Sequence, residues 1–227
     1  LERIPEDRKL SKMWQSRDDE GYVQRVIAIE DVPLEQGTWL ILGRTHSKLE
    51  SLKDNLKERG IYYEYKNRKS YRQRLFRNIL NYTRWTNGDK LSLTECKDLF
   101  EFLELDWVQT EERLYGLEEF GFSFTNHWYE VFKSDPEESL YIRQMLSNGE
   151  KLNDTARVKL STIHAAKGGE ADNVLLILDN TKKIREAVEK NQDKRDEEHR
   201  VWYVGVTRTK QNLYIMEAKQ ERNGYDI

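Results

Sequence analysis

The segment from residue 158 to residue 178 constrains the fold of this chain more than any other, because it places two strand-forming runs around a polar corner. It reads V-K-L-S-T-I-H-A-A-K-G-G-E-A-D-N-V-L-L-I-L. Its two strand-forming runs, Val158–Thr162 and Asn173–Leu178, have the length and residue types typical of strands in a sheet. Gly168 and Gly169 allow a tight turn between them and let a ligand approach the backbone closely. We therefore expect a sheet with a corner that faces a ligand.

The side chains of this corner suit a phosphate-containing ligand. Thr162 and His164 are short polar donors, and Lys167 carries a charge that attracts phosphate. Glu170 supplies a carboxylate of the kind that binds a ribose hydroxyl. The alternative interpretation is a tight loop with a capping glutamate and an ordinary surface histidine, and the residues alone leave both open.

A second segment, from residue 197 to residue 216, reads E-E-H-R-V-W-Y-V-G-V-T-R-T-K-Q-N-L-Y-I-M. A helical pattern that buries Trp202 ends at Thr207-Arg208-Thr209 and passes directly into a strand from Lys210 to Met216. This order places the cationic side chain of Arg208 at a helix end beside a sheet. An arginine in this position can equally be a surface residue that complements the helix dipole.

The amino-terminal residues give weaker signals. Residues 1–15 are charged and without clear periodicity, which indicates a connection arriving from something upstream. Ser16 and Asp19 form a possible capping box for a helix that continues to about Glu30. We therefore expect one helix over residues 16–30.

A β-α-β unit follows. The apolar run Trp39–Leu42 predicts a buried parallel strand that ends just before Arg44. Ser47 and Glu50 predict a capped helix that Gly60 stops, and residues 61–65 predict the next strand. On its own this pattern favours a plain β-α-β unit with an exposed arginine.

Residues 66–156 differ from the rest of the chain because they show helical periodicity and no long alternation of apolar and polar residues. Helices are expected around residues 71–87, from a cap at Thr94, and at 114–119, 126–133 and 136–147. Many aromatic residues fall here, and a packed core explains most of them better than base stacking does: Trp85, Trp107, Tyr115, Phe120, Phe122, Phe124, Trp128 and Tyr129. We expect a helical insertion of about 90 residues, the size of a small domain.

Composition narrows the functional classes. The net charge of −3 argues against a generally basic nucleic-acid-binding domain, although a local basic groove remains compatible with it. Cys96 is the single cysteine, so the chain forms no internal disulfide, which fits a reducing compartment. No apolar run is long enough to cross a bilayer. We expect a cytoplasmic protein without a membrane partner.

Three segments together resemble motifs of the superfamily 1 DNA helicases, the UvrD/Rep/PcrA group. The longest match is Glu-Glu-x-Arg-x-x-Tyr-Val-x-x-Thr-Arg, residues 197–208, which resembles motif VI. The corner Thr-Ile-His-Ala-Ala-Lys-Gly-Gly-Glu, residues 162–170, resembles motif V, and Leu-Ile-Leu-Gly-Arg-Thr, residues 40–45, resembles motif IV. The order of the three along the chain also agrees with the family.

The resemblance implies an α/β fold, a RecA-like parallel sheet flanked by helices with a helical insertion. Residues 1–65 and 157–227 would form the second RecA-like domain, of the type called 2A, and residues 66–156 a reduced 2B-like insertion. It also implies ATP and Mg²⁺ as cofactors, with the phosphate loop and metal ligands on an upstream RecA-like domain of the same polypeptide. Single-stranded DNA or a duplex/single-strand junction would be the partner, in DNA repair or replication.

The resemblance also assigns roles to residues. Arg44 and Arg208 would act as catalytic arginines delivered in trans, and both would contact the nucleotide together with Glu170. Thr162 and His164 would contact the backbone of the DNA strand. No metal ligand is expected in this chain, because it has neither a Gly-x-x-x-x-Gly-Lys-Ser/Thr phosphate loop nor an acidic pair after an apolar strand. The chain alone should therefore be inactive as an ATP hydrolase.

The chain departs from the family pattern at two positions of motif V. Gly169 stands where leucine is usual and Ala171 where an aromatic residue is usual. These departures favour an alternative, a degenerate, non-catalytic helicase-like domain that binds DNA or a protein. The presence of Arg44, Glu170 and Arg208 together favours the helicase, because a scaffold does not need three polar groups directed at a nucleotide. A fused nuclease is disfavoured because no carboxylate-lysine cluster follows Met216.

Overall fold

A computed structural model describes residues 20–121, 126–166, 168–218 and 220–226. The chain divides into two compact units, a larger one within Leu1–Ser70 and Asn148–Ile227 and a smaller one within Tyr71–Ser147. The strands are β1 Tyr22–Val26, β2 Trp39–Gly43, β3 Tyr63–Tyr65, β4 Arg68–Lys69, β5 Leu91–Ser92, β6 Leu114–Tyr115, β7 Val158–Thr162, β8 Ala171–Ile177 and β9 Thr209–Met216. The helices are α1 His46–Glu50, α2 Lys53–Glu58, α3 Gln73–Thr86, α4 Leu93–Leu103, α5 Trp128–Val131, α6 Pro136–Ser147, α7 Lys182–Lys190 and α8 Gln192–Val206.

The larger unit is built on a seven-stranded sheet with the strand order β1-β9-β8-β2-β7-β3-β4. All pairings are parallel except the hairpin of β3 and β4. Gly43, Thr162 and Ile177 are in register at the end of their strands, and we call this the carboxyl edge. The opposite edge, where β8 and β9 begin at Ala171 and Thr209, is the amino edge. The predicted α/β fold with a mostly parallel sheet is confirmed.

Alternation along the central strands gives the sheet two apolar faces. Trp39 and Ile41 of β2 belong to a buried cluster that includes the leucines of α1 and α2. Leu40 and Leu42 point to the other face, where they join a cluster that contains Trp202 of α8. Because successive side chains of a strand point to opposite faces, a central strand between two helix layers must be apolar at every position. The run W-L-I-L meets this requirement.

The prediction of a helix over residues 16–30 is wrong for residues 20–30, the part of this range that the structure describes. Residues 22–26 form the edge strand β1, paired with β9, and Ile29–Asp31 form a single 3₁₀ turn. Tyr22 and Val23 remain 52% and 61% exposed, so this strand is stabilised by its hydrogen-bond ladder more than by burial. Ser16, Asp19 and the predicted connection over residues 1–15 lie outside the described residues.

The helix predicted to have Ser47 as its cap has its N-cap two residues earlier and is interrupted. Thr45 precedes α1, and Ser51 and Leu52 separate α1 from α2. Gly60 has φ +62°, a left-handed conformation that glycine adopts without strain, and the chain leaves the helix there as predicted. The following strand is shorter than predicted, Tyr63–Tyr65.

The smaller unit is mainly helical and has an aromatic core, as the sequence predicts. Five rings contact one another with centroid separations of 4.8 to 6.1 Å: Trp85, Phe100, Trp107, Tyr115 and Phe120. The helix predicted over residues 114–119 is wrong, because β6 pairs with β5 and a 3₁₀ turn, Leu117–Phe120, follows. Of the other aromatic residues considered, Phe122 and Phe124 lie outside the described residues.

The cap of α4 is two residues earlier than the predicted Thr94. The Ser92 hydroxyl accepts a hydrogen bond from the Glu95 backbone N–H at 3.3 Å, and the Glu95 carboxylate accepts one from the Ser92 N–H at 2.8 Å. Burial by itself would raise the pKa of Glu95, but the hydrogen bonds from Ser92 and the nearby Arg84 lower it overall. This arrangement is a capping box. In the part of the chain that the structure describes, no helix is both long and apolar enough to span a membrane.

The cap generates a prediction about the smaller unit. Ser92→Ala should lower its free energy of unfolding by about 1 kcal/mol, because one helix N–H loses its acceptor. Thr94→Ala is the matched control, since Thr94 is exposed and its hydroxyl is not the cap. Urea denaturation followed by far-UV circular dichroism would measure both. Equal losses in the two variants would contradict the assignment of the cap.

Candidate functional site

Arg44 leaves the sheet at the carboxyl edge and is held by a carboxylate of α8. Its Nε lies 2.9 and 3.0 Å from the two oxygens of Glu198, and its Nη2 lies 3.0 Å from Oε2. The side chains are 19% and 4% exposed, respectively. A bidentate pair with so little solvent is strong and fixes the guanidinium plane. Arg44 therefore has a defined position, although its charge is largely balanced by Glu198.

His164 and Thr162 lie close to this pair, at the end of β7. His164 is exposed, and its Nδ1 is 3.5 Å from Nη1 of Arg44. The Thr162 hydroxyl accepts a hydrogen bond from the Ala165 N–H at 3.3 Å, which stabilises the turn after the strand. A hydroxyl that accepts in this way still has its own proton to donate. Thr162 and His164 thus present a hydroxyl and an imidazole at the carboxyl edge.

A depression of about 480 Å³ opens beside Arg44 and His164, between them and the α7–α8 pair. Further cations line it, namely Lys183, Lys194 and Arg200, together with the carboxylates of Glu197 and Glu198. Lys194 lies 2.8 Å from Glu197, and this hydrogen bond raises the pKa of Lys194. The lysine therefore stays charged at neutral pH, and the lining suits an anion that is held by several cations.

Arg208 lies at the amino edge, where α8 ends and β9 begins. Its Nε donates to the Val204 carbonyl at 3.1 Å, Nη2 to the Thr207 hydroxyl at 3.2 Å and Nη1 to the Gly169 carbonyl at 3.4 Å. The backbone carbonyl of Arg208 also accepts a hydrogen bond from the Ala171 N–H at 3.2 Å. These hydrogen bonds therefore connect the polar corner to the end of α8. All the acceptors described around the Arg208 guanidinium are neutral.

Glu170 is part of the same corner and is exposed. Gly168 has φ +89°, a left-handed conformation that favours glycine, and the Gly169 N–H donates to the Ala166 carbonyl at 2.9 Å. Lys167, predicted to attract phosphate, lies outside the described residues. The predicted nucleotide contacts thus fall into two places, with Glu170 beside Arg208 at the amino edge and Arg44 at the carboxyl edge.

Helix α8 connects the two places. Glu198, which holds Arg44, and Arg208 are ten residues apart, so they lie roughly 15 Å apart along the helix direction. Trp202, four residues after Glu198, is 2% exposed and packs on the sheet. Gly205 allows close contact, because a Cβ there would lie 3.0 Å from Leu176 Cδ1. The helix therefore sets the spacing of the two arginines.

The sequence did not predict the role of Glu198, which is named there only as part of the segment that resembles motif VI. A signal was available, because Glu198 and Trp202 are four residues apart and share one helix face. A carboxylate on the buried face of a helix needs a cationic partner. Among the described residues, no group of three or more histidine, cysteine, aspartate and glutamate side chains is arranged to hold a metal ion.

Comparison with known proteins identifies relatives of this chain. The family described as the UvrD-like helicase C-terminal domain matches residues 92–220, a range that includes Thr162, His164, Glu170 and Arg208 but not Arg44. The probable DNA helicase II homolog of Rickettsia conorii and the DNA helicase II of Rickettsia typhi are each 38% identical over 76 residues. The match covers 31% of this chain and 11% of each relative, so the chain corresponds to a small part of their length.

The Arg44–Glu198 pair generates a prediction about stability. Arg44→Ala should lower the free energy of unfolding by about 3 kcal/mol, because it leaves a buried carboxylate without its partner. Replacing both members, Arg44→Met with Glu198→Leu, should cost about 1 kcal/mol or less, since no charge is then left unpaired. Denaturation of Arg44→Met, Glu198→Leu and the double variant completes a double-mutant cycle.

Two results would count against a buried, coupled pair. One is additivity of the two single changes, since independent sites add and contacting groups do not. The other is a comparable loss in Lys194→Ala, which removes one member of the exposed Lys194–Glu197 pair and should change stability very little.

Proposed function

Because this chain belongs to the UvrD-like helicase C-terminal domain family, we propose that it is the second RecA-like domain of an ATP-dependent superfamily 1 DNA helicase. In this proposal residues 1–65 and 157–227 form the RecA-like domain, and residues 66–156 are a reduced 2B-like insertion. One observation carries it: a single helix, α8, holds Arg44 through Glu198 and ends at Arg208 beside the polar corner. One helix therefore connects three motifs that are distant in sequence, although their side chains lie at two edges of the sheet.

Arg208, Arg44 and Glu170 face the nucleotide in this proposal. An upstream RecA-like domain binds ATP and Mg²⁺ and supplies the phosphate loop and the metal ligands, and the bound nucleotide supplies the phosphoryl group for transfer. The cation-rich depression beside Arg44 and the guanidinium of Arg208 suit a polyphosphate, since both present N–H donors with positive charge. An arginine delivered from a second domain balances the negative charge that develops during transfer.

The two arginines differ in how readily they can reach a phosphate. Arg208 donates to two carbonyls and a hydroxyl, and losing these bonds leaves no buried charge unpaired because all three acceptors are neutral. Arg44 is in a bidentate ion pair, whose rupture leaves Glu198 buried and unpaired. Arg208 is therefore the arginine that exchanges its acceptors for phosphate oxygens, and Arg44 contributes from a fixed position.

Thr162 and His164 contact the backbone of a DNA strand in this proposal. Both are at the end of β7, one as a hydroxyl donor and the other as an exposed imidazole. Contacts of this type position a strand and carry no base information. Closing of the two RecA-like domains on ATP, and opening after hydrolysis, would then move the strand.

A second candidate is a non-catalytic helicase-like domain that binds DNA or a protein. It is favoured by Gly169 and Ala171, which replace the usual leucine and aromatic residue of motif V. Ala171 packs partly buried against the same cluster as Trp202, so the corner keeps its apolar contact with a smaller side chain. ATP turnover by the complete protein separates the two candidates.

The catalytic role of Arg208 generates a prediction for the complete protein. Arg208→Ala should lower DNA-stimulated kcat by about two orders of magnitude or more, because the transition state loses a cation. Arg208→Lys should restore little of it, since a point charge lacks the planar fork that binds two oxygens. Nucleotide affinity should change much less, because the phosphate loop dominates it.

Melting temperature is the control for Arg208→Ala. A near-normal kcat with a lowered melting temperature would show that Arg208 is structural and would contradict its catalytic role. Arg44→Ala should lower both quantities, because Arg44 also balances Glu198. The 227-residue chain by itself should show no steady ATP hydrolysis, and turnover that survives further purification would contradict the division of roles between domains.

The strand contact generates a separate prediction. Changing both Thr162 and His164 to alanine should weaken binding of single-stranded DNA by about the same factor for all sequences, because only backbone contacts are lost. Fluorescence anisotropy with homopolymers of different bases would measure this. Unchanged affinity, or a loss confined to one base, would contradict the assignment.

A further inference from the structure

A second basic surface lies on the larger unit, and neither Arg44 nor Arg208 lines it. It is a depression of about 590 Å³ beside the β3–β4 hairpin. Five cations and one carboxylate line it: Lys53, Lys57, Lys66, Arg68, Lys69 and Glu50. We call it the hairpin pocket. Its lining carries four positive charges net, five minus one, in a chain whose total is −3.

We infer that the hairpin pocket binds the sugar-phosphate backbone of the nucleic-acid strand and extends the strand path that begins at Thr162. The inference rests on the proposed function, because it takes Thr162 as a strand contact. It adds a surface that none of the three helicase motifs includes. A cluster of cations in a chain whose net charge is negative indicates a binding site for a polyanion.

The turn of the hairpin supports a functional role for its lysine. Lys66 and Asn67 connect Tyr65 to Arg68 and have φ +51° and +58°. A two-residue hairpin with both central residues in the left-handed region favours asparagine and glycine. Asn67 fits this preference and Lys66 does not, since lysine adopts this conformation only with strain. A lysine that occupies a strained backbone conformation suggests that its side chain is needed at that position.

The pocket also holds its cations in place. The Nζ atoms of Lys53 and Lys66 lie 4.3 and 5.0 Å from the centre of the Tyr65 ring, in cation–π contact. The Tyr65 hydroxyl is 2.9 Å from His46 Nδ1. Burial and the carboxylate of Glu50 raise the pKa of Tyr65 to about 12, so the phenol stays neutral. Both ammonium groups are therefore fixed over a neutral aromatic face.

The hairpin pocket is continuous with the strand contact. A neighbouring depression of about 360 Å³ is lined by Thr162 and Lys159 of β7, and it shares Tyr65 and Lys66 with the hairpin pocket. Polar and cationic groups therefore extend from Thr162 to Lys66 and the hairpin, and Lys159 and Glu64 lie on the same lining. Cations spread along a path suit a chain of phosphates, whereas a single phosphate is bound by donors that converge on one point.

The test uses a charge-removing variant that also relieves the turn. Lys66→Asn with Arg68→Gln removes two cations and places a favoured residue at the left-handed position. The matched control, Lys90→Gln with Lys97→Gln, removes two exposed cations from the smaller unit. The affinity of each 227-residue chain for a fluorescent oligothymidylate of about 15 nucleotides is measured from about 50 to 200 mM salt.

Two phosphate contacts to a single strand contribute roughly 1.4 to the slope of log K against log salt, at about 0.7 each. The hairpin variant should lose this amount and bind more weakly, with a melting temperature equal to or above that of the unchanged chain. The control should keep its slope.

Each other outcome overturns the inference. If the hairpin variant binds as the control does while Thr162→Ala with His164→Ala still weakens binding, the hairpin pocket is excluded and the proposed function stands. If the unchanged chain does not bind the oligonucleotide even at low salt, both fail. Competition by inorganic tripolyphosphate as strong as that of the strand would indicate a site for a small anion. A lowered melting temperature of Lys66→Asn alone would assign Lys66 a structural role.

Discussion

The packing of α8 on the sheet is the contact on which the candidate site depends. Trp202 is buried against the sheet, and Gly205 lets the helix approach Leu176 closely. Glu198 lies on the same helix face, four residues before Trp202, and reaches Arg44 at the end of β2. Because protein cores are packed as densely as crystals, a helix packed in this way can shift very little, and neither can its carboxyl end. The position of Arg208 therefore follows from apolar contacts several residues earlier.

The two arginines show how chemical surroundings distinguish residues of one type. Arg44 satisfies a buried carboxylate, so its removal costs stability whatever it does in catalysis. Arg208 donates to neutral acceptors at a partly exposed corner, so it can change partners without leaving a buried charge unpaired. Loss of activity in an Arg44 variant thus mixes two effects, whereas an Arg208 variant reports on the nucleotide more directly.

Much of the sheet could be predicted from the sequence, because buried parallel strands give continuous apolar runs. Residues 39–42 and 173–178 are such runs, and they lie in β2 and in β8 up to Ile177. Residues 22–26 mix apolar and polar residues over too short a length for periodicity to separate helix from strand. Their pairing with β9, almost two hundred residues later in the chain, determines the outcome, and no local pattern contains that information.

The sequence named candidate residues for the site but not their arrangement in space. Motif patterns identify Arg44 and Arg208, and the structure separates them because one follows a strand and the other precedes one. In a parallel sheet these positions are at opposite edges, a consequence that could have been drawn once both strands were taken as parallel. The partnership of Arg44 and Glu198 required the strand order, which places β2 beside β8, the strand that α8 packs on, and is not encoded by spacing along the chain.

The central claim is that the polar corner and the end of α8 face a nucleotide held by another domain of the same protein. Hydrogen exchange of the complete protein, with single-stranded DNA and with or without a non-hydrolysable ATP analogue, tests it most directly. The account predicts slower exchange of backbone amides at residues 168–170 and 207–209 when the analogue binds, with β5 and α4 unchanged. Unchanged exchange in both segments, with protection confined to the domain that carries the phosphate loop, would contradict it.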